Sequence, residues 1–109
     1  MNVEGPIAGL SSDAERILRS FPDWFGIEAS LVEYARDTER FPTFAARTNQ
    51  EIVAFLTVRE HFAASWEVHC VAVHAQSRHR GIGQALHRHV EGWLSQRGVR
   101  LLQVKTVAG

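Results

Sequence analysis

The chain has 109 residues, 45% of them apolar, and twelve Lys and Arg balance twelve Asp and Glu. That length fits a single domain over residues 1–109 with a modest core, and the apolar share excludes wholesale disorder. A neutral balance excludes any global pull toward nucleic acid or an anionic membrane, so an anion site has to be local.

At the N-terminus, "MNVEGPIAGL" has neither the basic nor the apolar stretch of a signal peptide. No apolar run along the chain nears the roughly 20 residues that span a bilayer. The expectation is a soluble, cytoplasmic domain. Gly5 and Pro6 mark an opening strand only poorly. "SSDAE" starts a helix, with Ser12 and Glu15 spaced as a capping box, and Ile17, Leu18 and Phe21 give it an apolar face. "FPDWFG" interrupts, Pro22 and Gly26 bracketing Trp24 and Phe25. A second helix is expected over about Glu28 to Arg40, with Leu31, Val32 and Ala35 on one side. "FPTFAART" and "EIVAFLTV" are two strands joined by a tight turn at Asn49-Gln50, the second apolar enough to be buried on both faces. In "WEVHCVAV", strict alternation sends Trp66, Val68, Cys70 and Ala72 one way and Glu67, His69, Val71 and Val73 the other. Cys70, the single cysteine, excludes an internal disulfide, suits a reducing compartment and is expected as a core residue. A helix from about Gly81 to Arg97 follows, with Ile82, Leu86, Val90 and Trp93 on one face and Gly98 as its C-terminal cap. "VRLLQVKTV" is the last strand. A strand–helix–strand unit of this length makes the two strands parallel.

"SRHRGIGQAL" puts two arginines and two glycines at the start of that helix. The first four N–H groups of a helix lack internal partners and attract anions. Gly81 and Gly83 would let a phosphate approach the backbone, and Arg78 and Arg80 add charge. The pattern favours a diphosphate over a plain loop with solvated arginines. A dinucleotide fingerprint would need a small residue where Leu86 stands and an acid where "VKTV" stands. A nucleoside-triphosphate loop would need Gly-Lys-Ser/Thr. Both are absent.

Arg78-His79-Arg80-Gly81-Ile82-Gly83 resembles the Arg/Gln-x-x-Gly-x-Gly/Ala signature of the GNAT superfamily of N-acetyltransferases. "EVHCVAVHAQSRHRGIGQAL" is similar to that family's fourth strand, pyrophosphate loop and third helix. "GVRLLQVKT" is similar to its fifth strand, and "FPDWFGIEAS" to the segment between its first two helices. The resemblance implies an α/β fold, a mixed sheet flanked by helices. It implies acetyl-CoA as cofactor and direct acetyl transfer to a primary amine of a small molecule or protein. The pantetheine arm would pair with strand four around Val71, Ala72 and Val73, where strands four and five splay. The pyrophosphate would sit on the amides of Arg78, His79, Arg80, Gly81, Ile82, Gly83 and Gln84.

Family members place a glutamate where Glu67 stands. The residue is a candidate general base, or a strand-end carboxylate paired with a cation. His69, on the same face, could share that role or be a buried, hydrogen-bonded structural histidine. Trp24 and Phe25 line the acceptor pocket or plug the sheet. His87 and His89 point to different faces of their helix and His74 and His79 lack partners, so no metal site is expected.

The family usually continues past strand five with a strand, a helix and a strand, and the helix often supplies a tyrosine acid. Here the sequence stops at Gly109, and the sole tyrosine, Tyr34, falls in the second helix without an assigned role. Two alternatives follow: a CoA-binding or scaffold domain that kept the cofactor half of the site, or a small interaction module whose arginine loop meets an anionic protein surface. The apolar strand Val99–Val107 would present an open edge, and a homodimer through it is expected.

Overall fold

Asn49 (φ 50°) and Gln50 (φ 67°) both adopt left-handed backbone, the two-residue turn whose twist matches a hairpin. They join β2 (Thr43–Thr48) to β3 (Glu51–Phe62) in an antiparallel pair. The computed structural model describes residues 1–21, 28–62, 65–78 and 80–104. Around the hairpin it places β1 (Asn2–Glu4), β4 (Ser65–Val73) and β5 (Arg100–Val104) in a five-stranded sheet of order β1-β2-β3-β4-β5. β1 to β4 are antiparallel neighbours, and β5 runs parallel to β4. The weakly marked opening strand does form, as three residues against β2. Lys105 to Val107 of the expected last strand lie outside the described residues.

Helices α1 (Ser11–Arg19) and α2 (Glu28–Arg40) cover one face of the sheet, and α3 (Ile82–Gln96) covers the other. Ile17 and Leu18 of α1 and Leu31 and Ala35 of α2 pack on Phe55, Cys70 and Ala72. Ile82, Leu86, Val90 and Leu94 of α3 pack on Phe44, Leu56, Val58 and Val68. β3 lies between both layers, and Ile52 through Val58 are all buried, as its unbroken apolar run requires.

The start of α1 departs from the capping-box expectation. Ser12 lies inside the helix rather than before it, Leu10 occupies the cap position, and Glu15 bonds Arg19 at 3.0 Å. The orphan donors are met from α2: Glu39 accepts from the N–H groups of Gly9 and Ser11, each at 3.2 Å. Those two bonds hold its carboxyl below the usual carboxylate range. The end of α3 follows the expectation. Gly98 (φ 73°) donates to Ser95 O and Val99 to Leu94 O, the paired bonds of a glycine-terminated helix.

Candidate functional site

β4 does not alternate strictly. Cys70 pairs with Thr57, but Val68 pairs with Val58, so His69 is one residue too many for the ladder. This bulge switches the faces of the strand. Trp66 and Val68 pack with the α3 layer, as do Val71 and Val73, while Cys70 and Ala72 pack with α1 and α2. The expected grouping of Trp66, Val68, Cys70 and Ala72 is therefore corrected: a residue inserted at His69 breaks the period of two. Cys70 consequently lies on the α2 side, together with His69. Burial first, then the nearby Asp37 charge, pushes its thiol up to about 12, which makes it a core group rather than a nucleophile.

His69 meets α2 directly. Its Nε2 is 2.8 Å from Asp37 Oδ2, and its ring lies against Tyr34 and Phe41 with centroids 5.4 and 5.6 Å away. Burial, and secondarily the charges of Cys70 and Asp37, raise the Tyr34 phenol above its ordinary value. Glu67 is half-buried and stands opposite Arg59 in the β3–β4 register. Asp37 was not among the residues singled out from sequence. Its only signal there is a carboxylate one turn after Leu31, Tyr34 and Ala35 on an otherwise apolar helix face.

His74 donates to the Val53 carbonyl at 2.7 Å. Hydrogen-bonded pairs alternate along an antiparallel ladder. Ala72–Phe55 is thus a bonded pair, while Val71–Leu56 and Val73–Ala54 turn their β4 N–H and C=O groups away from β3. Among the described residues β5 pairs with β4 only from Ser65 to Val68. The outward groups of Val71 and Val73 therefore face the β5 side of the strand, where no ladder is formed among the described residues. Ala72 commits its backbone to Phe55 and its side chain to the core.

Beyond β4, a short 3₁₀ turn (Ala75–Ser77) leads to α3. Gly81 caps the helix at φ 73°, a conformation that costs little only in glycine. The first described bond within the helix runs from Ala85 N to Gly81 O, so the N–H groups of Ile82, Gly83 and Gln84 precede that ladder. A Cβ on Gly83 would meet nothing within 4 Å, so the space beside this amide is open. Arg80 is exposed. Arg78 lays its guanidinium over Phe21, 4.5 Å from the ring centroid, and its Nε is buried with no hydrogen-bond partner among the described residues. Nearby, Ser20 Oγ accepts from Ala75 N at 3.0 Å, so the end of α1 is clasped to the loop.

Trp24, Phe25 and His79 lie outside the described residues. Among those described, no three His, Cys, Asp or Glu side chains group so as to hold a metal ion, and no helix is long and apolar enough to cross a membrane. A cavity of about 470 Å³ beside α1 is lined by Ser12, Glu15, Arg16, Arg19, Ser20 and His74, none of them a candidate above. Its arginines are engaged within the fold, Arg16 with Asp13 and Glu51 and Arg19 with Glu15 and Glu28.

The strand–loop–helix–strand order from β4 to β5, with a glycine at the start of α3, is the order of elements that the resemblance implies. Residues 12–109 match the Acetyltransferase (GNAT) family, and the chain belongs to it. Its fold is that of a GNAT-family structure from Desulfovibrio desulfuricans, with a TM-score of 0.80 at 14% identity over 94% of this chain and 71% of that one. The aminoglycoside 6'-N-acetyltransferase from Enterococcus faecium superposes with a TM-score of 0.76 at 21% identity, over 94% of this chain and 61% of that one. The ribosomal-protein-S18-alanine N-acetyltransferase from Escherichia coli gives 0.76 at 21% identity, over 94% and 64%. The chain thus spans about three fifths of the length of these last two enzymes. No curated protein matches the chain in sequence.

Proposed function

We propose that the chain is an acetyl-CoA-dependent N-acetyltransferase acting on a primary amine. The observation that carries this reading is the alignment of two backbone features. The outward N–H and C=O groups of Val71 and Val73 point away from β3, on an edge that has no ladder partner among the described residues. The leading amides of α3 follow a few residues later, with open space at Gly83. An extended amide-bearing arm suits the first and a diphosphate the second. Arg78 Nε in the same loop, without a hydrogen-bond partner among the described residues, fits a ligand that brings acceptors. A further aminoglycoside 6'-N-acetyltransferase structure, with a TM-score of 0.72 over 91% of this chain, is a complex with coenzyme A.

Acetyl-CoA supplies the activated acetyl group. The protein's own groups bind, orient and move protons. Val71 and Val73 align the arm, and the amides of Ile82, Gly83 and Gln84 hold the diphosphate. Glu67, on the same strand as Val71 and Val73, takes the proton from the acceptor amine, through water where the distance requires it. The acceptor is a primary amine of a small molecule or a protein.

Calorimetry with acetyl-CoA tests the cofactor half. Gly83→Asp sets a side chain and a negative charge at the helix start, where an anion interaction is worth up to about 2 kcal/mol. Affinity should fall by at least tenfold; unchanged affinity would remove the loop from the site. Thiol release with a panel of amines tests transfer. Binding without release would favour a CoA-binding domain that does not turn over.

A further inference from the structure

Asp37 is the only charged residue among the buried residues described, 6% exposed on the α2 side of the sheet. Burying a carboxyl group is costly unless its oxygens are partnered, and both are. Oδ1 lies 3.4 Å from Arg40 Nη1 and Oδ2 2.8 Å from His69 Nε2. A carboxylate only accepts hydrogen bonds, so Nε2 must carry the hydrogen, and in the neutral imidazole Nδ1 is then the nitrogen with the lone pair. Tyr34 and Phe41 pack against the imidazole and hold its plane. His69 is also the bulge residue, and it follows Glu67 by two residues.

The geometry points to Asp37 as a positioning residue that holds His69 as the second station of the proton leaving the acceptor amine. This rests on the acetyltransferase reading and deepens it. The ammonium gives one proton to the Glu67 carboxylate and becomes the free amine. The amine lone pair forms the new C–N bond at the acetyl carbonyl, and the C–S bond breaks with its electron pair on sulfur. The acetylated nitrogen gives up its second proton, which passes through water to the thiolate and leaves a neutral amide and a thiol. The first proton passes from Glu67 to His69 Nδ1, which restores the carboxylate. The imidazolium, facing Asp37, releases that proton to water. The titratable and charged groups on the elements that meet here are Tyr34 against the imidazole, Arg40 on Asp37, Cys70 and Glu67 on β4, and Arg59 opposite Glu67 on β3. Arg59 lies over the Phe41 ring at 5.3 Å from its centroid.

The test joins ¹⁵N NMR of the imidazole with steady-state kinetics of the full chain. The wild-type spectrum should show the Nε2–H form with Nδ1 unprotonated, and Asp37→Asn should give a mixture of both tautomers. Asp37→Asn should lower kcat roughly 10²-fold, the low end of what a positioned acid–base group supplies. The KM for acetyl-CoA should stay unchanged, and Asp37→Glu should recover part of the loss. His69→Gln should delete one ionisation from the pH profile of kcat. A wild-type Nδ1–H tautomer overturns the inference. So do variants that melt earlier yet keep the wild-type kcat and pH profile, because the pair would then only tie α2 to β4. Absence of amine-dependent thiol release by the wild-type protein overturns the transferase reading itself, and is seen before any variant is made.

Discussion

The two faces of the sheet are built on different terms. Toward α3, large apolar side chains close the layer: Phe44, Leu56, Val58, Val68, Leu86 and Val90 are all fully buried. Phe44 and Trp66 each meet Trp93 edge-on, at 5.3 and 5.9 Å between centroids. Toward α1 and α2, small residues do much of the packing: Ala14, Ala35, Ala45, Cys70 and Ala72. The buried polar groups gather there too. Thr43 Oγ1 lies 3.0 Å from Thr57 Oγ1 and reaches the Thr38 carbonyl at 3.2 Å, and Asp37 holds His69. Small residues bring the helices close, and closeness lets each buried polar atom find a partner. One face fixes the helix whose start would hold a diphosphate; the other carries the Asp37–His69 pair proposed to relay a proton.

That division can be broken from either side. The largest effect is expected on the polar face. Glu67→Gln should slow acetyl transfer by about 10²–10⁴-fold, the range for a lost general base. Acetyl-CoA affinity, measured by calorimetry, should barely change. On the apolar face the balance reverses. Leu86→Ala empties a site with no solvent exposure and should cost about 2–5 kcal/mol in urea unfolding. At temperatures where the variant stays folded, it should retain most of its turnover.

Smaller effects sharpen the comparison at its borders. Gly5 has φ 135°, and a Cβ there would sit 2.8 Å from Phe44 Cα. Gly5→Ala should therefore destabilise by about 1–3 kcal/mol through overpacking against the α3 layer, read as a lower unfolding midpoint. The smallest effect concerns Glu39, whose carboxyl is held below the usual range by the Gly9 and Ser11 N–H groups. A lowered carboxyl value stabilises the fold above its unfolded-state titration, and that contribution is lost as pH falls through the folded-state value. Wild-type protein should lose a little stability between about pH 5 and pH 3 that Glu39→Gln does not lose, in paired urea titrations.

Much of this was legible in the residues because it is local. Ile82, Leu86 and Val90 announce α3 by their spacing, Asn49-Gln50 marks the hairpin, and Arg78 to Gly83 marks the loop. What stayed hidden depends on partners far along the chain. Glu39 caps a helix start 28 residues upstream, and Asp37 meets a histidine 32 residues downstream. Neither pairing leaves a trace in local spacing. The bulge escaped for a different reason: the eight residues from Trp66 to Val73 fit a regular alternation equally well until the β3 partner is known.

The extra residue in β4 also acts as a phase shift within a repeating pattern. Upstream of it, even-numbered Trp66 and Val68 belong to the α3 layer; downstream, odd-numbered Val71 and Val73 do. A strand of period two can keep both sets on one side only if something changes its parity between them, and His69 is that change. Removing His69 would thus subtract more than an imidazole. The ladder would close up, and with the downstream half anchored by His74 and Val53, the upstream half would have to turn over. Trp66 and Val68 would swing toward α2, and Glu67 would enter the apolar layer beneath α3. Chemistry at this strand is therefore tied to the count of its residues as firmly as to their kind.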